Sequence, residues 1–437
     1  MRASISKDTK LQSERPETGR GTIELALIDQ RVEEAGTAQA SEPRRKACAL
    51  IDPAPVLLPS GSIRRISPRP LHARSKDFDD EYDDQTLVYD AFWHATGPVI
   101  VLLGPPLCNL KPYVAQMTVI SAPSSHQCEF SIHEMDRHCR IMVKCPRDTT
   151  SVILSTALGN FRIIPQKNLS DRFSGHRVLF TLSKNNKLRW IQDWIRYHRD
   201  NHGVTAVLLY DNASTDYSVE ELRSTINSIE GLETTCVVRW PFKYGPQGIG
   251  ADRFWDSDYC QYGAWEHARF RVLSAARSAL NLDIDELVVH HEGQSVFESA
   301  EQSISGIVRF HGVWVPGLQA RTRVPTLERP IRYRDFEYYK VPQRSPGRIP
   351  FLASKSHCPT KWAVVPRRCP ACAQWAPHTI KRWPAAVFKS DRFSYRHFRE
   401  INNGWKYDRS DREGFDPALH AYDDDLVTSL SRVRWNF

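Results

Sequence analysis

The stretch Asn281-Leu-Asp-Ile-Asp-Glu-Leu-Val-Val289 sets two carboxylates one residue apart in an apolar run. We expect a β-strand here, with Asp283 and Asp285 on one face and Glu286 on the other, because side chains alternate along a strand. Paired carboxylates repel each other, and hard divalent cations bind such oxygen ligands together with substrate phosphates. The motif therefore indicates a phosphate–metal site. Taken alone, it is equally compatible with an acidic strand end that binds nothing.

Three apolar strands precede this run and alternate with helices. The predicted strands cover residues 177–182, 206–210 and 235–240. Apolar residues at helical spacing follow Leu188, and Ser218 with Glu221 forms a capping box that opens a second helix. A long helix is expected over residues 260–280. This alternation is typical of a largely parallel α/β sheet, which binds ligands at the carboxyl ends of its strands.

Polar clusters follow each predicted strand, at residues 183–186, 211–216, 241–250 and 283–286. Asp211 ends an apolar strand and could accept hydrogen bonds from a ribose or a base edge, although an Asx turn would explain it without a ligand. The glycine-containing loop at 240–250 would let the backbone approach a diphosphate, although a simple long loop explains it equally well. The coincidence of these clusters favours a ligand site at one edge of the sheet.

Changes in composition divide the chain into four segments. Residues 1–85 are polar, charged and rich in proline, which predicts a disordered leader. Residues 86–172 contain short apolar runs separated by turn residues and predict a small antiparallel β-rich domain. Residues 173–405 hold the α/β pattern, and residues 406–437 are expected to form a tail or a helix.

The bulk composition suits a folded protein, with 41% hydrophobic and 10% aromatic residues among 437. The net charge is +8, and part of the basic excess falls between residues 44 and 76. Such a tract is typical of a solvated tail, and it also suits peripheral contact with an anionic membrane surface. No base-stacking or helix-turn-helix pattern accompanies it, so nucleic acid is not an expected partner.

The sequence shows neither a run long enough for a transmembrane helix nor the apolar core of a secretion signal. We therefore expect a cytoplasmic location. The ten cysteines are scattered, which fits reduced thiols. Cys369-Pro-Ala-Cys372, with Cys358 upstream, is an incomplete pattern for structural zinc. His378, taken alone, is either an ordinary polar residue or a metal ligand.

Residues 177 to about 405 resemble the GT-A glycosyltransferases of the Asp-x-Asp type, in particular a family-two-like and family-ninety-two-like group. The matching motifs are Lys184-Asn185-Asn186, Trp194, Tyr197-His198, Asp211-Asn-Ala-Ser-Thr-Asp216, Trp240-Pro-Phe-Lys-Tyr-Gly245, Gln261, Asp283-Ile-Asp-Glu286, Lys361 to Pro366, His378 and His397-Phe-Arg399. Asn186 departs from the pattern, which usually has Glu there. The cysteine-rich insert before His378 is also unusual in this group.

The resemblance implies a GT-A (Rossmann-like) domain that moves a sugar from a nucleotide-diphosphate-sugar donor to a hydroxyl of a carbohydrate or glycoconjugate acceptor. It implies that Asn185, Asp211, Gln261 and Asp283 contact the donor. It further implies Mn²⁺ or Mg²⁺ held by Asp283, Asp285 and His378, because a divalent cation neutralises the charge that develops on the leaving diphosphate. It does not identify the catalytic base.

Two other classes of protein compete with this interpretation. A non-catalytic carbohydrate- or nucleotide-binding protein on a degenerate transferase fold is favoured by Asn186 and disfavoured by the intact Asp pair. A haloacid-dehalogenase-type phosphotransferase also carries a strand-end Asp-x-Asp. In that class, however, Gly normally follows the second Asp, where this chain has Glu286.

Overall fold

The computed structural model describes residues 48–247, 251–290, 293–326, 328–343, 358–401 and 412–435. The strands are β1 (Ala49–Ile51), β2 (Val56–Leu57), β3 (Thr86–Val88), β4 (Asp90–Trp93), β5 (Val99–Gly104), β6 (Thr118–Ala122), β7 (His126–Gln127), β8 (Phe130–Glu134), β9 (Cys139–Lys144), β10 (Ser151–Thr156), β11 (Gly159–Ile163), β12 (Arg177–Ser183), β13 (Ala206–Asp211), β14 (Thr234–Arg239), β15 (Ser278–Asn281), β16 (Glu286–His290), β17 (Ile307–Val315), β18 (Tyr338–Lys340), β19 (Cys358–Val364), β20 (Gln374–Ala376), β21 (Thr379–Lys381), β22 (Phe393–Phe398) and β23 (His420–Tyr422).

The α-helices of the described residues are fewer than the strands. They are α1 (Phe78–Glu81), α2 (Lys111–Ala115), α3 (Leu188–His202), α4 (Val219–Asn227), α5 (Ala251–Phe254), α6 (Tyr259–His267), α7 (Val296–Gln302) and α8 (Asp424–Ser431). Over the described residues, none of these helices combines the length and the apolar character that crossing a membrane requires.

A mixed nine-stranded sheet forms the centre of the fold. Its strand order is β1-β14-β13-β12-β15-β19-β17-β22-β16. The first five strands in this order are parallel to one another, and β19 then runs antiparallel to both β15 and β17. The carboxyl ends of β12, β13, β14 and β15 therefore lie along one edge of the sheet, as the alternating pattern predicted.

Local sequence explains the parallel half of this sheet. Strand β13 is apolar up to its last residue and is buried throughout, which is typical of strands covered on both faces. Helix α3 ends at Gly203, whose φ of 71° lies in the left-handed region that glycine adopts without strain. Helix α4 begins with the predicted capping box, in which Ser218 and Glu221 each satisfy the backbone N–H of the other.

The β-rich region consists of two four-stranded antiparallel sheets, in the orders β11-β10-β6-β7 and β4-β5-β9-β8. Their apolar faces share one buried core, to which Ile100, Val119, Val143 and Val152 contribute. One apolar run departs from the strand pattern. Residues 111–115 form helix α2 before β6 begins at Thr118, and Pro112 falls in the first turn of that helix, where its missing N–H has no cost.

The predicted disordered leader, 1–85, is wrong from residue 48 onward. Strand β1 pairs with β14 and forms the first strand of the central sheet. The buried guanidinium of Arg65 donates to the backbone carbonyls of Asp83, Thr86 and Pro106. These contacts involve residues from distant parts of the sequence, which a reading of local composition does not detect. Residues 1–47 lie outside the described ranges.

The long helix predicted over residues 260–280 is shorter in the structure. Helix α6 ends at His267, and one wider turn, Ala268–Val272, follows it before the chain enters β15 at Ser278. The apolar residues after Val272 therefore belong to a strand and its approach. Short apolar runs fit both helix and strand, and the pairing with β12 decides between them here.

Candidate functional site

Side-chain amides join the loops that follow β12 and β13. The Oδ1 atom of Asn185 accepts hydrogen bonds from the backbone N–H groups of Thr215 at 2.6 Å and Asp216 at 3.3 Å. In return, the backbone N–H of Asn185 donates to Ser214 Oγ at 2.9 Å. Asn185 has a φ of 56°, a conformation that asparagine tolerates better than most residues. The predicted donor-binding residue Asn185 thus uses its side-chain oxygen to hold the two loops together.

A second asparagine continues this connection to the loop after β14. The Nδ2 atom of Asn212 donates to the backbone carbonyls of Trp240 at 2.7 Å and Phe242 at 2.8 Å. Further along the same loop, the Tyr244 hydroxyl donates to Gln261 Oε1 at 2.6 Å. Three of the predicted polar clusters therefore form one hydrogen-bonded edge, and Gln261 lies against it from α6.

Tyr244 connects this edge to the acidic cluster. Burial raises the pKa of the Tyr244 hydroxyl well above its ordinary value, and the neighbouring Asp258 and Asp283 carboxylates raise it further. The loop after β14 and the connection after β15 therefore lie within electrostatic reach of each other. The four strand ends that the sequence singled out meet along this part of the sheet.

Asp283 and Asp285 lie in the connection between β15 and β16, not within a strand as the sequence predicted. The backbone N–H of Asp283 donates to Glu286 Oε2 at 2.8 Å, and the Glu286 N–H donates to the Asp283 carbonyl at 3.1 Å. These reciprocal bonds form a turn and direct the Glu286 side chain back toward Asp283. The expectation that Glu286 faces away from the pair was therefore wrong.

A buried lysine holds the acidic cluster together. Lys361, on β19, is fully buried, and its ammonium lies 2.7 Å from Asp283 Oδ2 and 2.9 Å from Glu286 Oε2. Strand β19 is otherwise apolar at its centre, so a lone lysine there required a partner. That isolated charge was the sequence signal for Lys361, and the acidic partners could not be assigned from local sequence.

The cluster carries more negative than positive charge, and the protonation of its members reflects this. Burial raises the pKa of Glu286. The Asp283 and Asp285 carboxylates raise this pKa further, whereas the Lys361 ammonium lowers it. Burial alone would lower the pKa of Lys361, but Asp283 and Glu286 together raise it. Lys361 therefore remains a cation, and Glu286 takes up a proton more easily than an ordinary glutamate.

Asp285 has a different partner. Its Oδ2 atom lies 3.0 Å from Nε2 of His397 on β22, and the His397 ring stacks on Trp314 with ring centroids 4.3 Å apart. The backbone carbonyl of Asp285 also accepts the Phe398 N–H at 2.9 Å. The two aspartates are thus held by different strands. Asp283 remains 35% exposed and Asp285 19% exposed, so both reach solvent.

Asp211 ends β13 with one carboxylate oxygen unsatisfied. Oδ2 accepts a long hydrogen bond of 3.4 Å from the Ser214 N–H, whereas the buried Oδ1 atom has no hydrogen-bond partner among the described residues. Burial raises the pKa of this carboxyl group above its ordinary value. A buried acceptor without a donor is costly, so this atom is suited to a ligand hydroxyl or N–H.

The structure does not bring the predicted metal ligands together as one set. His378 is exposed on the turn between β20 and β21, and its backbone carbonyl accepts a hydrogen bond from the Thr360 hydroxyl. Throughout the described ranges, no three His, Cys, Asp or Glu side chains are grouped so that they could hold a metal ion. The same finding covers the zinc pattern predicted from the cysteines. Of these cysteines, Cys358 is buried and Cys372 is exposed.

No protein-family model and no curated protein sequence matches this chain. A search of solved structures matched, among others, the X-ray structure of the mannosyltransferase Ktr4p from S. cerevisiae in complex with GDP. That match has a TM-score of 0.22 and 12% sequence identity, and it covers 35% of this chain and 43% of the other. The match thus spans less than half of the mannosyltransferase chain. The geometry of the site itself therefore carries the functional conclusion.

Proposed function

We propose that this protein is a metal-dependent glycosyltransferase. It takes a nucleotide-diphosphate-sugar donor and transfers the sugar to a hydroxyl group of a carbohydrate or glycoconjugate acceptor. The observation that carries this proposal is the position of Asp211, Asp283 and Asp285 at the carboxyl ends of β13 and β15, two parallel strands that flank β12. In open α/β sheets, ligands bind at that edge.

The residues present suit a divalent cation that is shared with a substrate. Mg²⁺ keeps several waters and is commonly bound through one or two carboxylates plus substrate phosphates, so it does not need three protein ligands. Asp285 and Asp283, both partly exposed, would hold Mn²⁺ or Mg²⁺ in this way. The cation would neutralise charge on the leaving diphosphate. His378 has no support as a third ligand.

The remaining residues position the donor. The unsatisfied Oδ1 atom of Asp211 would accept a hydrogen bond from the ribose or the base. The amides of Asn185 and Asn212 fix the loops on either side of it before any ligand arrives, which reduces the ordering cost of binding. Lys361 fixes the Asp283 carboxylate, and His397 fixes that of Asp285.

The test compares Asp285→Asn with the wild type in hydrolysis of UDP- and GDP-sugars with and without Mn²⁺. We expect metal-dependent hydrolysis by the wild type and a loss of at least about a hundredfold in the variant, because a charge-stabilising group is removed. Glu129→Gln is the matched control, since this carboxylate is 81% exposed in the β-rich region. Equal activity of Asp285→Asn and the wild type would refute the proposal.

A second function is favoured by one observation. The ammonium of Lys361 already neutralises part of the acidic cluster, which is expected of a non-catalytic nucleotide-binding protein on a degenerate transferase fold. Such a protein would show nucleotide-dependent thermal stabilisation that neither Mn²⁺ nor Asp285→Asn changes. A glycosyltransferase would show stabilisation that depends on both.

A further inference from the structure

Trp255 is a large aromatic residue that remains exposed beside the candidate site. It follows α5 with a φ of 57° and is 52% exposed, whereas the other tryptophans of the described residues are buried or partly buried. Two cations pack against its ring, with Arg137 Cζ and Lys381 Nζ each 5.3 Å from the ring centroid. These contacts hold the indole in place while about half of its surface faces solvent.

The same two cations also contact the ring of Tyr262, which lies on α6. Arg137 Cζ lies 5.4 Å and Lys381 Nζ lies 5.5 Å from the Tyr262 ring centroid. Each cation is paired with a carboxylate, Arg137 with Asp258 and Lys381 with Asp136. We call this group the Trp255 platform; its members are Trp255, Tyr262, Arg137, Lys381, Asp136 and Asp258.

The Trp255 platform contains side chains from both the β-rich region and the α/β part of the fold. Asp136 and Arg137 belong to the turn between β8 and β9 of the β-rich region. That turn is attached to the α/β part by Gln374, whose Oε1 accepts the Asp136 N–H at 3.1 Å. Lys381, Trp255 and Tyr262 come from the α/β part itself. The β-rich region thus contributes side chains to a surface beside the acidic edge.

The position of the platform relative to the acidic cluster is fixed through one tyrosine. The backbone N–H of Asp258 donates to the Tyr244 carbonyl at 2.7 Å. The Asp258 and Asp283 carboxylates both raise the pKa of Tyr244, so the platform and the acidic cluster lie near the same residue. Gly245 makes this approach close, because a Cβ atom there would lie 2.6 Å from Ser257 Cα.

We propose that the Trp255 platform binds a neutral carbohydrate and serves as the acceptor subsite. An exposed, rigid indole offers an apolar face to the C–H face of a pyranose ring, and the surrounding charged side chains offer donors and acceptors to its hydroxyl groups. The two cations and two carboxylates of the platform balance each other, so they give no net attraction to an anionic polymer or lipid. The acceptor role rests on the proposed transferase function, whereas carbohydrate binding can be measured without it.

Binding is tested by calorimetric titration of the full chain, without donor or metal. The neutral probes are tetrasaccharides of mannose, of glucose and of N-acetylglucosamine. The anionic probes are a sulfated tetrasaccharide and phosphatidylserine vesicles. We expect at least one neutral tetraose to bind. Trp255→Ala should weaken it by about tenfold or more, and Trp255→Phe should retain most of the affinity because it keeps a ring. Tyr422→Ala removes an exposed ring outside the platform and should leave affinity unchanged.

Three results would overturn the proposal. They are the absence of binding to any neutral tetraose, undiminished binding by Trp255→Ala, and binding of the anionic probes alone. In the transfer reaction, Trp255→Ala should raise the acceptor KM more than it lowers kcat, and a lower kcat with an unchanged KM would indicate a merely structural role. Tetraose binding that depends on Trp255, without any sugar transfer, would retain the carbohydrate site and refute the transferase function.

Discussion

At the scale of single residues, Lys361 has the largest predicted effect on stability. Its substitution by Met leaves Glu286 buried without its counter-charge, and removal of one partner from a buried ion pair typically costs about 3–5 kcal/mol. We expect urea unfolding of Lys361→Met to show a loss of that size. Lys144→Met, at a lysine that is 74% exposed and paired with Glu129, should change stability little.

A double variant separates the charge effect from simple packing. In Lys361→Met/Glu286→Gln, the buried carboxylate is removed together with its cation, so the loss should be smaller than the sum of the two single losses. Additive losses in urea unfolding would show that Lys361 stabilises the fold through packing alone. In the sequence, Lys361 was noted only as the start of the motif Lys361 to Pro366, and one of its carboxylate partners, Asp283, lies 78 residues before it.

The Asp-x-Asp residues show what local sequence predicts and what it does not. The alternating pattern predicted that Asp283 and Asp285 lie in a strand at one edge of an α/β sheet, and the structure has them at that edge but in the connection after β15. It did not predict the turn, because the turn depends on one hydrogen bond from the Asp283 N–H to the Glu286 side chain. Nor did it identify His397 as the partner of Asp285, since that contact requires the antiparallel pairing of β16 with β22.

At the scale of elements, helix α3 is attached to strand β16 by two buried histidines. His198 contacts the Trp194 carbonyl through Nδ1 and accepts the Val288 N–H at Nε2. His202 contacts the Val288 carbonyl through Nε2 and accepts the Val296 N–H at Nδ1. Each ring therefore donates once and accepts once, which only the neutral imidazole can do.

This arrangement predicts a fall in stability on acidification. Burial lowers the pKa of His198 well below its ordinary value and lowers that of His202 to about 4, with nearby His290 adding to the effect on His202. The unfolded chain binds protons near pH 6.5, so this stability is complete above that pH and decreases as the pH falls toward 4. Each histidine contributes a slope of about 1.4 kcal/mol per pH unit in that window.

Urea unfolding between pH 7.5 and 4.5 measures this slope. His202→Gln removes one of the two titrating rings and should show a shallower decrease than the wild type, even though it is less stable at pH 7.5. Identical slopes for the wild type and His202→Gln would contradict the prediction. His290, whose Nε2 contacts Arg432, lies beside His202 and is left unchanged in both proteins.

The elements that sequence predicted well are those set by local periodicity and capping. Strands β12, β13 and β14 and helices α3 and α4 lie close to their predicted positions, because each has a continuous apolar pattern or a defined end such as Gly203. The helix expected over 260–280 was too long, since α6 ends at His267 and the last residues of the predicted span belong to β15, which pairs with β12. Local propensity does not report that pairing.

At the scale of the whole molecule, residues 48–85 are part of the fold. Arg69 forms a buried bidentate pair with Asp256, at 2.8 and 2.7 Å, and Ser67 donates to the same carboxylate. Deletion of residues 1–80 would remove β1 and leave Asp256 buried without its partners. We expect a clear fall in the thermal unfolding midpoint or a loss of soluble protein.

Two controls sharpen this prediction. Deletion of residues 1–47 leaves every described element in place, so it should retain a cooperative transition. Arg69→Met tests the buried pair alone and should reproduce a substantial part of the loss caused by the longer deletion. An unchanged midpoint after deletion of residues 1–80 would show that this segment contributes nothing to stability.

The pairing of β1 with β14 also has a consequence for biosynthesis. Arg69 and Asp256 are 187 residues apart along the chain, and β1 is separated from β14 by a comparable length. During translation, β1 therefore leaves the ribosome long before β14, its neighbour in the described part of the central sheet. The backbone N–H and C=O groups of β1 can form their native pairing only after β14 has emerged, by which time the whole β-rich region has been synthesised.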